Sequence, residues 1–173
     1  MGHSRCFPPA TPETEYSISV TVDAVGAERV GIRLSPGAGI WDAHEDNVPK
    51  LYGALLAELD RLGLAYAHLE VTTDEETMVS LRRTWTGTMM LNPSSWTQRD
   101  GDPYGPVPTN RESADYWLAF GADLISFGRA FIANPDLVER LRLGLPLADA
   151  DPATFYGGGA VGYLDHPRYR FAS

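Results

Sequence analysis

The sequence lacks several features that would assign a protein to a class at once. It has a single cysteine, Cys6, which excludes an internal disulfide framework and is typical of a reducing compartment. No apolar run approaches the roughly 18 residues of a membrane span, so we expect no membrane partner. Residues 1–20 contain no apolar stretch like that of a secretory signal. These absences predict a cytoplasmic protein.

Basic residues are also scarce. The chain has 14 lysines and arginines against 23 aspartates and glutamates, which gives a formal net charge of −9. This balance argues against general binding of nucleic acid, because such binding needs a basic surface. A local phosphate site remains compatible with it, since one or two arginines and a few backbone N–H groups are enough.

Motifs that would carry hydrolytic, redox or metal chemistry are absent as well. The chain has no Ser-His-Asp order, no Cys-x-x-Cys pair and no Walker sequence. His44 has acidic neighbours in Asp42-Ala43-His44-Glu45-Asp46, which is compatible with a metal cluster or with a solvated, acidic helix start. We favour the helix start and predict no metal site.

Composition divides the chain into two parts. Residues 1–15 are proline-rich and polar, and we predict a flexible N-terminal arm there. Residues 16–173 are predicted to form one folded domain, since a chain of this length can bury one core. Tyr16–Val25 fits either a strand or a helix, and the pattern does not decide between them.

Strand-like and helix-like segments alternate after residue 29. Apolar runs predict four strands, and amphipathic periods predict four helices. The strands are expected at 30–35, 64–71, 88–91 and 124–127, and the helices at 48–62, 73–86, 111–120 and 135–143. Such alternation indicates an α/β domain built from parallel βα units.

The segment after the last predicted strand has the residues of an anion site. Leu124–Phe127 is predicted to be a buried strand, and Gly128-Arg129 follows at its carboxyl end. Asn134-Pro135-Asp136 has the composition of a helix start, with Asn as the capping residue. Glycine, a forked arginine donor and a nearby helix start together suit a phosphate. The alternative is a tight turn with a surface arginine.

Four stretches closely resemble the C-terminal end of the Old Yellow Enzyme family. They are AERVGIRLSP at 27–36, GLAYAHL at 63–69, FGRAFIANPDLVERLRLGLPL at 127–147 and DPATFYGGGAVGYLDHP at 151–167. The resemblance implies a partial (β/α)8 TIM barrel with about four C-terminal βα units. It also implies FMN as cofactor, NAD(P)H as hydride donor, and an activated alkene such as an enone as the small-molecule substrate.

The same resemblance assigns roles to individual residues. Arg33 matches the family arginine beside the pyrimidine edge of the flavin, although an arginine at a strand end also commonly pairs with a barrel carboxylate. Gly128 and Arg129 match the residues that hold the FMN phosphate. Tyr156 matches a tyrosine on the substrate side of the flavin. The alternative for Tyr156 is a half-buried aromatic that anchors the C-terminal tail.

The chain departs from the family after the third predicted strand. Where family members have a pair that begins with glycine, this chain has Asn92-Pro93-Ser94-Ser95. Proline has no N–H group and a fixed φ, so Pro93 removes one phosphate donor. We expect Ser94 to offer its N–H and hydroxyl groups in exchange, and the phosphate to be bound more weakly.

The length of the chain bears on its partners. A complete (β/α)8 barrel takes about 250 residues and rarely fewer than roughly 200, against 173 here. The family's substrate-binding histidine pair and proton-donating tyrosine belong to the first half of its barrel, so no catalytic residue is assigned.

Two unpaired strand edges and an inward face, expected to be apolar, require a cover. A homo-oligomer or a separate N-terminal half-barrel chain would provide it. The alternatives are a non-catalytic remnant or scaffolding subunit, and a phosphate binder with a flavodoxin-like packing.

Overall fold

The structure is a computed structural model that describes residues 12–39, 45–93, 109–156 and 159–170. Its centre is a four-stranded parallel sheet in the order β1-β2-β3-β4. The strands are β1 (Gly31–Leu34), β2 (Tyr66–Glu70), β3 (Met89–Asn92) and β4 (Leu124–Ile125). Three lie within the predicted segments and β3 ends one residue later than predicted, so the parallel βα arrangement is confirmed.

Six α-helices surround or follow these strands in the described residues. They are α1 (Pro12–Val25), α2 (Val48–Asp60), α3 (Glu75–Thr84), α4 (Arg111–Ala119), α5 (Arg129–Ala133) and α6 (Leu137–Leu143). None of the helices in this part of the chain is long and apolar enough to cross a membrane. The four predicted helices correspond to α2, α3, α4 and α6, whereas α5 was not predicted.

The segment Tyr16–Val25, which the sequence left undecided, belongs to helix α1. This helix begins at Pro12, so residues 12–15 of the predicted arm are helical. Residues 1–11 lie outside the described residues. The division into an arm and a domain therefore stays a prediction.

Helix α3 shows how local sequence sets the helix ends. The Asp74 side chain accepts hydrogen bonds from the backbone N–H of Thr77 at 2.8 Å and from its hydroxyl at 2.8 Å. Two glutamates lie in the first turn and two arginines in the last. Both charges suit the helix dipole, which is positive at the start and negative at the end. The start of the helix is therefore fixed by the Asp74 cap, and the charges at both ends stabilise it.

The core lies between one face of the sheet and helices α2 and α3. Strand side chains alternate between the two faces, so every second residue of β2 and β3 points into this core. Its buried members are Ala67, Leu69, Met89 and Leu91 from the strands, with Tyr52, Leu56, Leu59, Met78 and Leu81 from the helices. Trp85, also buried, donates from its indole nitrogen to the carbonyl of Thr88 at 3.0 Å.

The opposite face, which we call the open face, is more polar than expected. Arg33, His68, Glu70 and Asn92 project from the strands on this side, and the Ser126 hydroxyl lies within hydrogen-bond distance of His68 and Asn92. The strand register places Tyr66, Met90 and Leu124 on the same face. The inward face is therefore mixed, with polar residues that the expectation of an apolar face did not include.

The ring of Tyr66 lies over the amino end of the open face. The Tyr66 ring occupies the space that a Cβ atom on Gly31 would need. Gly31 and Tyr66 are neighbours in the strand register. A residue with any side chain at position 31 would overlap this ring in its present position, so glycine permits the close approach.

The last strand is shorter and more exposed than predicted. Strand β4 has two residues, and its Leu124 is 46% exposed. The expectation of a buried strand without an accessible face is therefore wrong for Leu124. Since β4 is the outer strand of the described sheet, only β3 pairs with it.

The helix predicted to start at Asn134 starts later, and Asn134 has another role. Asp136 is the residue before α6, and the side chain of Asn134 is fully buried. Its amide group donates to the carbonyls of Ala130 and Ala148 and accepts from the Ala148 N–H at 2.8 Å. Because both ends of the amide are used in these contacts, the side chain holds the chain beyond α6 instead of capping that helix.

A buried ion pair fixes the C-terminal segment. Arg140 Nε lies 2.7 Å from Asp136 Oδ1, and Arg140 also donates to the carbonyls of Pro146 and Pro167. The second carboxylate oxygen of Asp136 accepts from the N–H of Tyr169 at 2.8 Å. Residues 167–169 are therefore attached to α6 through two buried side chains.

Candidate functional site

The candidate site is at the carboxyl end of the sheet, where the loops after parallel strands meet. Arg33 is the third residue of β1, and its side chain is 56% exposed. Its Nη2 atom lies 3.3 Å from Oε2 of Glu70, at the end of β2. The carboxylate pairing considered for Arg33 is therefore present. More than half of the arginine surface is still accessible to a ligand.

Glu70 connects Arg33 to the segment that follows β1. The Ser35 hydroxyl donates to the same Oε2 atom at 3.0 Å, and the Glu70 side chain is only 7% exposed. Two residues further on, the Thr72 hydroxyl donates to the carbonyl of Pro36 at 2.7 Å. The end of β2 thus holds the segment 33–36 at three points.

The loop after this segment has a further support. Glu45 accepts from the N–H of Gly37 and from the Tyr52 hydroxyl, both at 2.7 Å. Burial and the adjacent Glu45 carboxylate raise the pKa of Tyr52. Glu45 therefore links the β1 loop to α2, but it lies before that helix, whose first turn contains no acidic residue. His44 itself lies outside the described residues.

A hydrogen-bonded group crosses the middle of the open face. His68 Nε2 lies 2.9 Å from the Ser126 hydroxyl, and the Asn92 amide donates to that hydroxyl at 3.0 Å. Burial lowers the pKa of His68, the Arg33 charge lowers it further, and the Glu70 carboxylate opposes both. His68 was predicted to be a core or strand-end residue. Its link to Ser126 was missed because the two are far apart in sequence.

Gly128 and Arg129 lie where β4 gives way to α5. Gly128 is the residue before α5, and no side chain of the described residues caps this helix start. Among the described residues other than its chain neighbours, nothing lies within 4 Å of the position that a Cβ atom on Gly128 would take. Its φ is −99°, which is not in the left-handed region that favours glycine. Gly128 therefore contributes open space beside its backbone.

Arg33 lies near the carboxyl end of one outer strand of the sheet, β1, and Gly128 follows the other, β4. Three inter-strand spacings separate β1 from β4, which corresponds to about 14 Å. The accessible Arg33 guanidinium lies at the end of β1, and the open backbone of Gly128, beside Arg129, lies after β4. This arrangement suits an elongated ligand with a polar ring at one end and a phosphate at the other, and FMN has this form.

The other predicted site residues are placed less closely. Ser94 lies outside the described residues, while Pro93 directly follows β3 and is buried. Tyr156 follows the short 3-10 helix Pro152–Thr154 and is 82% exposed. It is not the half-buried tail anchor of the alternative interpretation. That anchoring role belongs to Asp136 and Arg140, which the sequence did not reveal.

A cavity of about 320 Å³ lies away from this edge, beside α6. It is lined by Phe131, Pro135, Asp136, Val138, Glu139, Arg142 and Arg168. None of the predicted cofactor residues contributes to it. The described residues also contain no group of three histidine, cysteine or acidic side chains able to hold a metal ion.

Comparisons with known proteins relate this chain to a family. Residues 18–148 match the model of the NADH:flavin oxidoreductase / NADH oxidase family. The chain is 31% identical over 161 residues to 12-oxophytodienoate reductase 2 of Arabidopsis thaliana, with 87% of this chain and 39% of that protein covered. The matched range includes Arg33, Ser94, Gly128 and Arg129, but not Tyr156.

Solved structures agree with the sequence comparison. Morphinone reductase in complex with tetrahydroNAD matches with a TM-score of 0.76 and 33% identity over 98% of this chain and 46% of that chain. The old yellow enzyme from Trypanosoma cruzi matches with a TM-score of 0.75 and 32% identity, over 91% and 40%. The chain therefore spans less than half the length of these relatives. The predicted fold class, a partial (β/α)8 barrel, is confirmed.

Proposed function

Because this chain belongs to the NADH:flavin oxidoreductase / NADH oxidase family, the Old Yellow Enzyme family, we propose that it supplies the flavin-edge and phosphate-binding part of an FMN site. The family's cofactors are FMN and NAD(P)H. When bound, FMN would carry hydride from NAD(P)H to the β-carbon of an activated alkene such as an enone. Relatives named as reductases of 12-oxophytodienoate and morphinone support a small-molecule substrate.

One observation carries this proposal above the others. An accessible guanidinium at the end of β1 and an open helix start at the end of β4 lie on the same edge of one parallel sheet. In barrels of this kind, ligands bind at the carboxyl ends of the strands. The positions of Arg33 and Gly128 match that rule independently of the family motifs.

Arg33 would face the pyrimidine edge of the flavin. A fixed positive charge there stabilises the negative charge that develops near N1 and O2 when the flavin is reduced. The exposed part of the guanidinium is available for this contact, while Nη2 is paired with Glu70. Tyr156 would line the substrate side, and its exposure leaves its ring available.

Gly128, Arg129 and Ser94 would hold the phosphate. Barrel phosphate sites typically use the loops after the last two strands, which correspond here to the loops after β3 and β4. Gly128 allows close backbone approach, and Arg129 adds a forked donor. Pro93 lacks the N–H that a family glycine would donate. We therefore propose a working but weakened phosphate site.

This proposal is tested by titrating the chain with FMN and with riboflavin, which lacks the phosphate. Arg129→Ala should weaken FMN binding about 10- to 100-fold, because hydrogen bonds to charged groups contribute about 1.5–3 kcal/mol. Riboflavin binding should stay unchanged. Arg83→Ala, an exposed arginine on α3, is the matched control. Equal FMN affinity in wild type and Arg129→Ala would contradict the phosphate assignment.

The rest of the barrel would come from outside the described residues. We propose a second copy of this chain or a separate N-terminal half-barrel as the source, since the outer edges of β1 and β4 pair with no described strand. Light scattering would distinguish an oligomer from a monomer. Enone-dependent NADPH consumption should then appear only after a candidate half-barrel is added.

A second candidate function is a non-catalytic flavoprotein subunit or scaffold. Pro93 at the phosphate loop is the observation that favours it, because this residue removes a donor from the site. This alternative predicts no NADPH consumption with any half-barrel partner, even when FMN is bound.

A further inference from the structure

We propose that Glu70 is a positioning residue of the flavin site, which fixes the Arg33 guanidinium and the Ser35 hydroxyl before the flavin binds. This inference rests on the proposed function, because it concerns the same site. It adds a residue that would not contact the flavin itself. Glu70 would act through Arg33.

The burial of the Glu70 carboxylate is the first argument. Glu70 is the one acidic residue in the four strands, and its side chain is 7% exposed. A carboxylate buried to this degree requires charged or hydrogen-bonding partners. Arg33 and Ser35 both donate to its Oε2 atom. The cost of leaving that oxygen unpaired therefore holds both donors in place.

The second argument is the difference in exposure within the ion pair. Arg33 is 56% exposed, and an arginine side chain with that freedom loses rotamer entropy on binding a ligand. Pairing one nitrogen with a buried acceptor removes part of that freedom in advance. Preorganisation of this kind raises affinity without adding a contact to the ligand.

The strand register gives the third argument. Arg33 is the register neighbour of His68, and Glu70 lies two residues further on the same face of β2. Thr72 then holds the Pro36 carbonyl. The end of β2 therefore serves as a template for the whole segment 33–36. That segment cannot shift along β1 without breaking these contacts.

The test is a double-mutant cycle on flavin affinity with wild type, Glu70→Gln, Arg33→Gln and the double variant. Glu70→Gln keeps the side-chain volume and removes the charge. We expect it to weaken FMN and riboflavin binding about tenfold, because the ring edge is common to both. In the Arg33→Gln background the same change should have little further effect. Glu58→Gln, at an exposed ion pair with Arg61, is the control.

A flavin-free measurement accompanies the cycle. The Arg33 side-chain NMR signal, assigned by its loss in Arg33→Gln, should report an ordered guanidinium in wild type and a more mobile one in Glu70→Gln. Urea unfolding checks that each variant is folded. If Glu70→Gln does not fold, Glu70→Asp, which keeps the charge but shortens the side chain, takes its place.

The outcomes separate the two proposals. Non-additive losses in the cycle, with a mobile Arg33 in Glu70→Gln, support the positioning role. Additive losses, or unchanged affinity in Glu70→Gln, overturn it while leaving the flavin site intact. If wild type binds neither FMN nor riboflavin although Arg33 is ordered, the proposed function fails. The pair is then structural only, and the positioning role fails with it.

Discussion

Arg33 and Arg82 lie at opposite ends of the same sheet and have contrasting surroundings. Arg82 donates to the carbonyls of Gly121, Trp85 and Gly87 at 2.7–3.0 Å and lies 3.4 Å from Asp123. Its side chain is 26% exposed, against 56% for Arg33. The Arg82 guanidinium is surrounded by the protein, whereas the Arg33 side chain is partly exposed to solvent.

The difference distinguishes a structural arginine, Arg82, from Arg33, which is proposed to bind a ligand. The carbonyls around Arg82 belong to the chain just before β3 and β4, so this arginine holds the amino ends of two strands together. Arg33 lies at the carboxyl end, where barrels of this type bind ligands. A guanidinium saturated by main-chain carbonyls has few donors left for a ligand, whereas one paired with a single carboxylate retains several.

The sharpest way to break this comparison is to remove each arginine and measure stability. Arg82→Ala should lower the free energy of unfolding by about 2–4 kcal/mol, because three hydrogen bonds contribute roughly 1 kcal/mol each. Arg33→Ala should cost less, about 1–2 kcal/mol, because the buried Glu70 carboxylate loses its charged partner but keeps the Ser35 hydroxyl. Urea unfolding followed by circular dichroism measures both. A larger loss for Arg33 than for Arg82 would reverse the assignment of the two ends.

His68 offers an intermediate effect, because its titration reports the charges on the open face. The pKa of His68 is lowered from 6.5 mainly by burial, with Arg33 lowering it further and Glu70 opposing. Arg33→Gln should therefore raise the pKa of His68, and Glu70→Gln should lower it. NMR titration of the imidazole measures both shifts. A His68 pKa insensitive to both substitutions would show that these charges do not share one face.

The same group gives a pH dependence of stability with a defined sign. The folded protein binds the His68 proton less tightly than the unfolded chain does, since its pKa is below 6.5. The contribution of His68 is therefore fully present above pH 6.5 and is lost as the pH falls through the folded pKa. Unfolding experiments between pH 7 and pH 5 should show a smaller decline in His68→Asn than in wild type.

The smallest expected effect concerns Asp74, a charged residue near the carboxyl end of the sheet that caps α3 and is not expected to bind the flavin. Hydrogen bonds from Thr77 hold the pKa of Asp74 below its ordinary value. Asp74 therefore stabilises the fold above its unfolded pKa, and this contribution is lost as the pH falls through the folded pKa.

Asp74→Ala should be modestly less stable than wild type at pH 7, and the two should converge in acid. Flavin affinity should be unchanged in Asp74→Ala. Acid unfolding curves and an FMN titration test the two statements separately, and a weaker FMN affinity would place Asp74 in the site.

The sequence predicts the parts of this molecule that depend on local pattern. Apolar runs placed the four strands, and amphipathic periods placed α2, α3, α4 and α6. Contacts between distant residues had no such signal. Glu70 follows Arg33 by 37 positions and Ser126 follows His68 by 58. Only the register of parallel strands brings them together, and that register is fixed by packing of the whole sheet.

Asn134 shows a different limit of sequence reasoning. Its position before Pro135 is typical of a helix cap, yet its amide is used by Ala130 and Ala148. The capping pattern and the buried contact involve the same residue type. The Asn134 side chain bonds with Ala148, in the segment after α6, instead of capping that helix. A local capping rule does not anticipate this contact.

The Tyr66 ring lies against Gly31 at the amino end of the open face. In a completed barrel, this ring would narrow the passage at the amino end of the strands. At the proposed flavin site, ligands would then approach from the carboxyl end of the strands, and one glycine and one tyrosine far from that end would set the direction of entry.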